Sequence, residues 1–220
     1  MSIQSNLLEI KSSLPAHVTL VAVSKTKPVA DLMEAYNAGQ RIFGENKIQE
    51  MAAKYEEMPK DIEWHMIGHV QTNKVKYMAA FVSLVHGVDS LKLLAEINKQ
   101  AKKNNRIINC LLQMHIAEEE TKFGMDEKEL QELLSSEEFK QMENIKVTGL
   151  MGMATFTQNE NQIRKEFTHL NSVFESLSKQ PETLNLKPET LSIGMSGDYN
   201  IAIACGSTMV RIGSSIFGHR

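Results

Sequence analysis

Strand-like and helix-like segments alternate along the whole chain, and this alternation restricts the possible folds more than any other feature. Runs of β-branched and apolar residues are each followed by a stretch with apolar side chains at intervals of three and four. The first such stretch places Val29, Leu32, Met33 and Tyr36 on one helical face. The eight predicted strands cover residues 18–24, 41–44, 63–68, 83–88, 107–116, 146–155, 190–194 and 209–212.

Repeated strand–helix units predict a parallel sheet. Eight units in 220 residues fit a (β/α)8 TIM barrel near its minimum size, in a single domain over residues 1–220. The alternative is an open, doubly wound sheet, which usually carries a Gly-x-Gly-x-x-Gly turn after its first strand. Here residues 24–28 read Ser-Lys-Thr-Lys-Pro, without glycine. The sequence therefore favours the barrel.

Lys25 stands at the end of the first apolar strand, directly before Thr26, Lys27 and Pro28. Partial burial disfavours the ammonium form of a lysine, and a neutral amine can attack a carbonyl to form a Schiff base. The simpler interpretation is that Lys25 extends its ammonium group into solvent from a strand end. The neighbours that the fold gives Lys25 decide between the two.

Glycine and serine are concentrated around the last two strands, in residues 194–198 and 206–218. Phosphate sites of this fold commonly lie in the loops after strands seven and eight. Ser196 offers a hydroxyl, and Gly213 and Ser214 begin a helical turn whose N–H groups suit an anion. Barrel closure makes strand eight, which carries Arg211, a neighbour of the strand that ends at Lys25. A Schiff-base lysine, a phosphate site and one side chain facing a ring nitrogen are what pyridoxal 5′-phosphate requires.

Composition excludes several other classes of function. The net charge of −3 gives no electrostatic case for a nucleic-acid partner or an anionic membrane. No apolar run approaches the ~20 residues of a membrane span, and the N-terminus has no signal-peptide pattern. Cys110 and Cys205 lie in apolar stretches and predict reduced core cysteines of a cytoplasmic protein. His65 and His69 are four residues apart but lie on a strand and its loop, so we expect no metal site.

Seven ordered segments resemble the pyridoxal phosphate homeostasis proteins, a family similar to the N-terminal barrel of alanine racemase standing alone. The segments are VSKTKP at 23–28, FGENKIQE at 43–50, WHMIGHVQTNK at 64–74, ETKFG at 120–124, GLMGMA at 149–154, LSIGMSGD at 191–198 and GSTMVRIGSSIFG at 206–218. They cover nearly the whole predicted barrel.

This resemblance implies a role for each candidate residue. Lys25 is expected to carry the cofactor as an internal aldimine, and Arg211 to face the pyridine nitrogen. Ser196 and the backbone N–H groups of Gly213 and Ser214 are expected to hold the phosphate.

The same resemblance places two more residues near the cofactor and reveals one departure. Asn46 and Met151 are expected near the cofactor ring and its O3′ side. The family often has asparagine where this chain has His115. That substitution affects one contact at strand five and not the expectation of cofactor binding.

Three functions remain open at this point. In the first, the protein binds pyridoxal phosphate for homeostasis and carriage, without an obligatory reaction, as a monomer whose candidate partners are apo enzymes that use this cofactor. The second is a weak amino-acid racemase. Alanine racemases take their second proton donor from a tyrosine of an additional C-terminal domain, which we expect to be absent because the chain ends at Arg220. The third is an enzyme that binds a sugar phosphate through a Lys25 Schiff base.

Overall fold

Parallel strands close into a barrel in the computed structural model, which describes residues 2–119, 123–180 and 183–218. These residues form eight strands in sequential order, each parallel to both neighbours. The predicted (β/α)8 barrel is confirmed, and the open doubly wound alternative is wrong. The strands are β1 (Thr19–Val23), β2 (Ile42–Glu45), β3 (Glu63–Met66), β4 (Leu84–Val88), β5 (Ile108–Gln113), β6 (Ile145–Met151), β7 (Leu186–Met195) and β8 (Met209–Ile212).

Helices surround the barrel and connect consecutive strands. A 3₁₀ helix at Thr72–Tyr77 connects β3 to β4, where the sequence pattern predicts an α-helix. The α-helices are α1 (Ile3–Ser13), α2 (Val29–Asn37), α3 (Ile48–Glu57), α4 (Leu91–Lys103), α5 (Glu127–Ser135), α6 (Glu137–Lys140), α7 (Glu160–Ser178), α8 (Tyr199–Ala204) and α9 (Ser214–Phe217).

Side-chain caps define where two of these helices begin. The hydroxyl of Ser90 accepts a hydrogen bond from the N–H of Leu93 and caps α4. Asp126 and Glu129 exchange hydrogen bonds between side chain and backbone, in a capping box at the start of α5. Short polar side chains before an apolar helical repeat satisfy the free N–H groups of the first turn.

Apolar side chains form two layers, one on each side of the barrel wall. The larger layer lies between the strands and the helices, and includes the fully buried Phe43 and Trp64. The smaller lies inside the barrel and takes one residue from each of five strands: Val21, Leu84, Leu111, Met151 and Met209. The barrel interior is therefore a packed core and not a pore.

Some element boundaries differ from those that the sequence predicts. β7 begins at Leu186 and not at residue 190, because the segment with Pro188 pairs with β6. The sequence pattern misses this segment because it is too polar to resemble a buried strand. β6 ends at Met151, whereas the sequence pattern predicts a strand that continues to residue 155. Helix α1 precedes the first predicted strand–helix unit; it packs against α9 and is joined to it by a hydrogen bond from Asn6 Nδ2 to the carbonyl of Ile216.

Three expectations from the sequence concern the cysteines, membrane-spanning helices and the ETKFG segment. Cys110 and Cys205 are buried and not disulfide-bonded. Within residues 2–119, 123–180 and 183–218, no helix combines the length and apolarity that a bilayer span needs. Residues 120–122, which belong to the ETKFG segment at 120–124, lie outside the described residues.

Candidate functional site

Lys25 lies in the turn directly after β1, at the C-terminal mouth of the barrel, and is half-buried. Val21 of the same strand belongs to the inner apolar layer. Residues two apart on a strand point to the same side, so Val23 follows Val21 toward the barrel axis. Lys25 comes two residues later, where active-site residues of this fold are found.

Barrel closure brings the end of β8 next to the end of β1. Val21 pairs with Arg211 and Ala22 with Ile212. A Cβ atom on Gly213 would lie 3.1 Å from the carbonyl oxygen of Val23, so glycine permits this close approach. The segment before Lys25 and the loop after β8 are therefore neighbours, as the sequence predicts.

The loops after β7 and β8 together present hydroxyl and N–H groups. The N–H of Gly213 donates to Ser196 Oγ at 3.2 Å, which joins the two loops. Inside α9 the first donor is the N–H of Ile216, which bonds to the carbonyl of Gly213. The N–H groups of Ser214 and Ser215 thus lie outside the hydrogen bonds of the helix itself. This donor set suits a bound phosphate, and the carboxylate of Asp198 in the loop after β7 accepts from the N–H of Met195 at 2.6 Å.

Arg211 lies below these loops, almost fully buried in the barrel interior. One of its terminal nitrogens donates to the carbonyl and hydroxyl oxygens of Ser192, at 2.8 and 2.6 Å. The other donates to the carbonyl of Gly152 at 3.0 Å. Burial lowers the pKa of Arg211 to about 10, although the charge of Asp198 acts in the opposite direction. The guanidinium therefore keeps its positive charge at neutral pH, and these three hydrogen bonds join it to the neutral groups of Ser192 and Gly152.

A chain of buried side chains continues from Ser192 across the barrel. Ser192 Oγ lies 3.1 Å from His86 Nδ1, and His86 Nε2 lies 3.0 Å from His65 Nδ1. Burial lowers the pKa of His65 to about 3. Burial, together with the charges of His65 and Arg211, lowers the pKa of His86 well below its usual range. Both imidazoles are therefore neutral at neutral pH.

Arg211 can only donate, so the hydroxyl of Ser192 accepts from it. Two arrangements of the neutral histidines complete the chain. Either the Ser192 hydroxyl donates to His86 Nδ1 and His86 donates from Nε2 to His65 Nδ1, or His65 and His86 both donate from Nδ1 in the opposite direction. The barrel interior orients its arginine through neutral groups instead of a carboxylate.

Two further candidates lie on other strands around the same mouth. Asn46 directly follows β2 and is half-buried; a Cβ atom on Gly68 would lie 2.4 Å from its carbonyl oxygen. Met151 ends β6, is 1% exposed, and pairs with Ser192 on β7. Met151 is thus adjacent to β7, whose Ser192 accepts hydrogen bonds from Arg211. The position of Asn46 is fixed by the close contact between its carbonyl oxygen and Gly68, which follows β3.

His115 and His69 take structural positions. His115 Nε2 lies 3.0 Å from the carbonyl of Glu119, so it contacts its own loop. His69 stacks on Phe123, and its Nδ1 lies 3.4 Å from a carboxylate oxygen of Asp89. His69 is exposed in the loop after β3, whereas His65 is buried within the barrel. Among the described residues, no group of three possible metal ligands occurs.

Comparison with known proteins places this barrel in a family. The sequence profile described as alanine racemase, N-terminal domain, matches residues 1–220. The pyridoxal phosphate homeostasis protein of Aquifex aeolicus strain VF5 is 40% identical over 202 residues, which are 91% of this chain and 86% of that protein. The chain belongs to the pyridoxal phosphate homeostasis protein family.

Solved structures agree with this family assignment. PipY from Synechococcus elongatus, solved without PLP, is 33% identical, has a TM-score of 0.92, and the match covers 99% of this chain and 100% of PipY. PipY with PLP bound has the same identity and coverage and a TM-score of 0.89. An alanine racemase of Clostridium difficile is 15% identical with a TM-score of 0.74, over 100% of this chain and 60% of the racemase. The racemase shares the fold.

The sequence pattern gives no sign that His86 and Ser192 contact the buried arginine network of this family member. Both lie within strands that the sequence pattern marks only as apolar. One signal was present: His86 is two residues from Leu84, whose side chain faces the barrel axis. An inward-facing histidine in a buried strand needs a polar partner, but the sequence does not say which residue supplies it.

Proposed function

We propose that this chain binds pyridoxal 5′-phosphate at the mouth of the barrel, attaches it covalently to Lys25, and stores and releases it in cofactor homeostasis. The observation that carries the proposal is the pairing of β1 with β8, which brings the Lys25 turn next to the donor-rich loops at Ser196 and Gly213. The PLP-bound structure of PipY, 33% identical over nearly the whole chain, supports it.

We assign the roles of the site residues as follows. Ser196, Gly213 and Ser214 hold the phosphate: the Ser196 hydroxyl, which accepts from the Gly213 N–H, keeps its own proton to donate, and the Ser214 N–H lies outside the hydrogen bonds of α9. Arg211 faces the pyridine nitrogen. Asn46 and Met151 flank the ring from β2 and β6. When bound, the cofactor would supply an aldehyde carbon, which condenses with an amine with loss of water, and a ring that withdraws electrons.

Arg211 favours storage over turnover. Its guanidinium is positively charged at neutral pH and is fixed by Ser192 and Gly152. A positive charge beside the ring nitrogen disfavours protonation of that nitrogen, which weakens the ring as an electron acceptor. Reactions that pass through a carbanion gain little stabilisation in such a site.

The positions of the tyrosines also argue against efficient racemisation, which needs a second proton donor opposite Lys25. Tyr36, Tyr55 and Tyr77 lie on outer helices. The fourth tyrosine, Tyr199, begins α8 and packs against the outer apolar layer. We therefore propose a binding protein and treat the racemase as an outcome of the test.

A covalent labelling experiment tests this function. We expect the purified protein to gain visible absorbance with pyridoxal phosphate, and borohydride to fix the cofactor on the peptide that contains Lys25. Lys25→Ala should lose both signals, whereas Lys128→Ala, at an exposed position on α5, should keep them. Labelling of another lysine, or none, would contradict the proposal. If Lys25 instead captured only sugar phosphates, the third function would be correct.

Two further measurements define what the bound cofactor does. Chiral analysis of L-amino acids after long incubation should detect no robust turnover; turnover lost in Lys25→Ala would establish the racemase. We also propose that the protein is a cytoplasmic monomer with one domain over residues 1–220 that supplies apo enzymes. Mixing the loaded protein with an apo transaminase tests this: transfer no faster than release into buffer would exclude direct handover.

A further inference from the structure

The residue after Lys25 has an unusual backbone conformation. Thr26 has a φ of +65°, in the left-handed region that β-branched residues rarely adopt. The free-energy cost of such a conformation is similar to the net contribution of one hydrogen bond, and the conformation persists only where the surrounding structure holds it. The strained residue shares a peptide bond with Lys25, so whatever holds Thr26 also restricts Lys25.

Side chains from α3 hold the backbone on both sides of Lys25. The N–H of Thr26, in the peptide unit after Lys25, donates to Glu50 Oε1 at 2.5 Å. The carbonyl of Ser24, in the peptide unit before it, accepts from Lys54 Nζ at 2.8 Å. The two peptide units that flank the Lys25 Cα atom are therefore both bound to one helix.

Glu45, Glu50 and Lys54 form the buried cluster behind these contacts. Lys54 is 5% exposed and donates to Ser24, to Glu45 Oε1 at 2.7 Å and to Glu50 Oε1 at 2.8 Å. These three acceptors use all three protons of its ammonium group. Glu45 is fully buried on β2 and also accepts from the Ser24 hydroxyl at 2.6 Å. The cluster thus links β2, α3 and the Lys25 turn.

We propose that Glu45, Glu50 and Lys54 are positioning residues that fix the backbone of Lys25, so that its amine meets the cofactor aldehyde in one orientation. This inference rests on the proposed function and adds a mechanism to it. A site that stores its ligand by one covalent bond needs the attacking amine held in place, since small misplacements slow bond formation strongly. The alternative is that the cluster only stabilises the fold.

The experiment compares covalent with non-covalent binding in Glu50→Ala. Stopped-flow absorbance with pyridoxal phosphate, followed by borohydride trapping on Lys25, measures the covalent bond. Affinity for pyridoxine 5′-phosphate, which has an alcohol in place of the aldehyde, measures the rest of the site. We expect the bond to form about tenfold to 10²-fold more slowly, while pyridoxine 5′-phosphate affinity changes by less than about twofold.

Three companion variants separate positioning from general stabilisation. Glu57→Ala removes an exposed carboxylate from the same helix and should leave both measurements unchanged. Glu50→Gln keeps an acceptor for Thr26 and should be close to wild type. Thr26→Gly in the Glu50→Ala background should recover part of the lost rate, because glycine adopts positive φ without strain.

Each other result overturns the proposal. If Glu50→Ala lowered the rate of bond formation and the affinity for pyridoxine 5′-phosphate by the same factor, the cluster would only stabilise the fold. If neither quantity fell, the cluster would have no role in positioning Lys25. Failure of Thr26→Gly to recover any rate would exclude strain at Thr26 as the link. If the wild-type protein formed no bond at Lys25, the proposed function and this inference would both be wrong. If the wild-type protein formed the bond and the Glu50 variants formed it equally fast, the proposed function would hold and this inference would be wrong.

Discussion

Two buried polar clusters lie on opposite sides of the barrel wall, and each contains one cation. Inside the barrel, Arg211 is bound to carbonyl and hydroxyl oxygens and, through Ser192, to two neutral histidines. Outside the wall, Lys54 is bound to the carboxylates of Glu45 and Glu50.

The difference between these clusters indicates two separate tasks. The inner cluster leaves the charge of Arg211 uncompensated by a bound carboxylate, so this charge can act on a ligand above it. The outer cluster neutralises its own cation, and its effect on the site passes through the backbone of Lys25. Under the proposed function, the inner cluster would set the electrostatics of the candidate site and the outer cluster its geometry. Breaking each cluster in turn tests this distinction.

The largest effect is expected from Lys54→Met, which strands the buried charge of Glu45. Removing one partner of a buried ion pair costs about 3–5 kcal/mol. Chemical denaturation of the apo protein measures the free energy of unfolding. Lys128→Met, at an exposed position on α5, is the matched control. Adding Glu45→Leu to Lys54→Met should restore much of the stability, and a double variant as unstable as the single one would contradict this account.

A smaller effect is expected from His86→Leu in the inner cluster, because no charge loses its partner. The variant leaves His65 Nδ1 and the Ser192 hydroxyl without their partner, and each buried polar group left unpaired costs about 1–3 kcal/mol. His86→Gln keeps a donor and an acceptor and should lose less. The same denaturation experiment measures both variants. A His86→Leu protein as stable as wild type would show that the chain of hydrogen bonds contributes nothing to stability.

The pH dependence of stability separates His65 of the inner cluster from Glu45 of the outer cluster by sign. His65 has a folded-state pKa of about 3 against an ordinary value of 6.5, so between these values the unfolded chain binds a proton that the folded chain does not. Stability must therefore fall as the pH falls through this window, by up to about 1.4 kcal/mol per pH unit. Burial raises the pKa of Glu45, although Lys54 and Ser24 act against it, so its contribution has the opposite sign.

Unfolding curves at several pH values between 4 and 6 measure this slope. We expect His65→Asn to flatten the slope and Glu45→Gln to steepen it. A slope that His65→Asn leaves unchanged would mean that this histidine is protonated in the folded protein, contrary to its burial.

Several parts of the site follow from local patterns in the sequence. Lys25 follows an apolar run, and Ser196, Gly213 and Ser214 lie in short loops rich in small residues. These patterns depend on residues close together in the chain. β7 was harder to predict because Pro188 interrupts its apolar pattern, while its pairing with β6 extends it back to Leu186.

The sequence by itself determined the order of strands and helices, the barrel that eight such units form, and the position of Lys25 at a strand end. Only the tertiary structure decided which buried polar groups meet. His86 and Ser192 are 106 residues apart, and Lys54 reaches Ser24 across 30 residues. Such pairings depend on strand register and on how a helix packs against the wall, and a shift of one residue would turn each side chain to the opposite face. Local periodicity carries no information about that register.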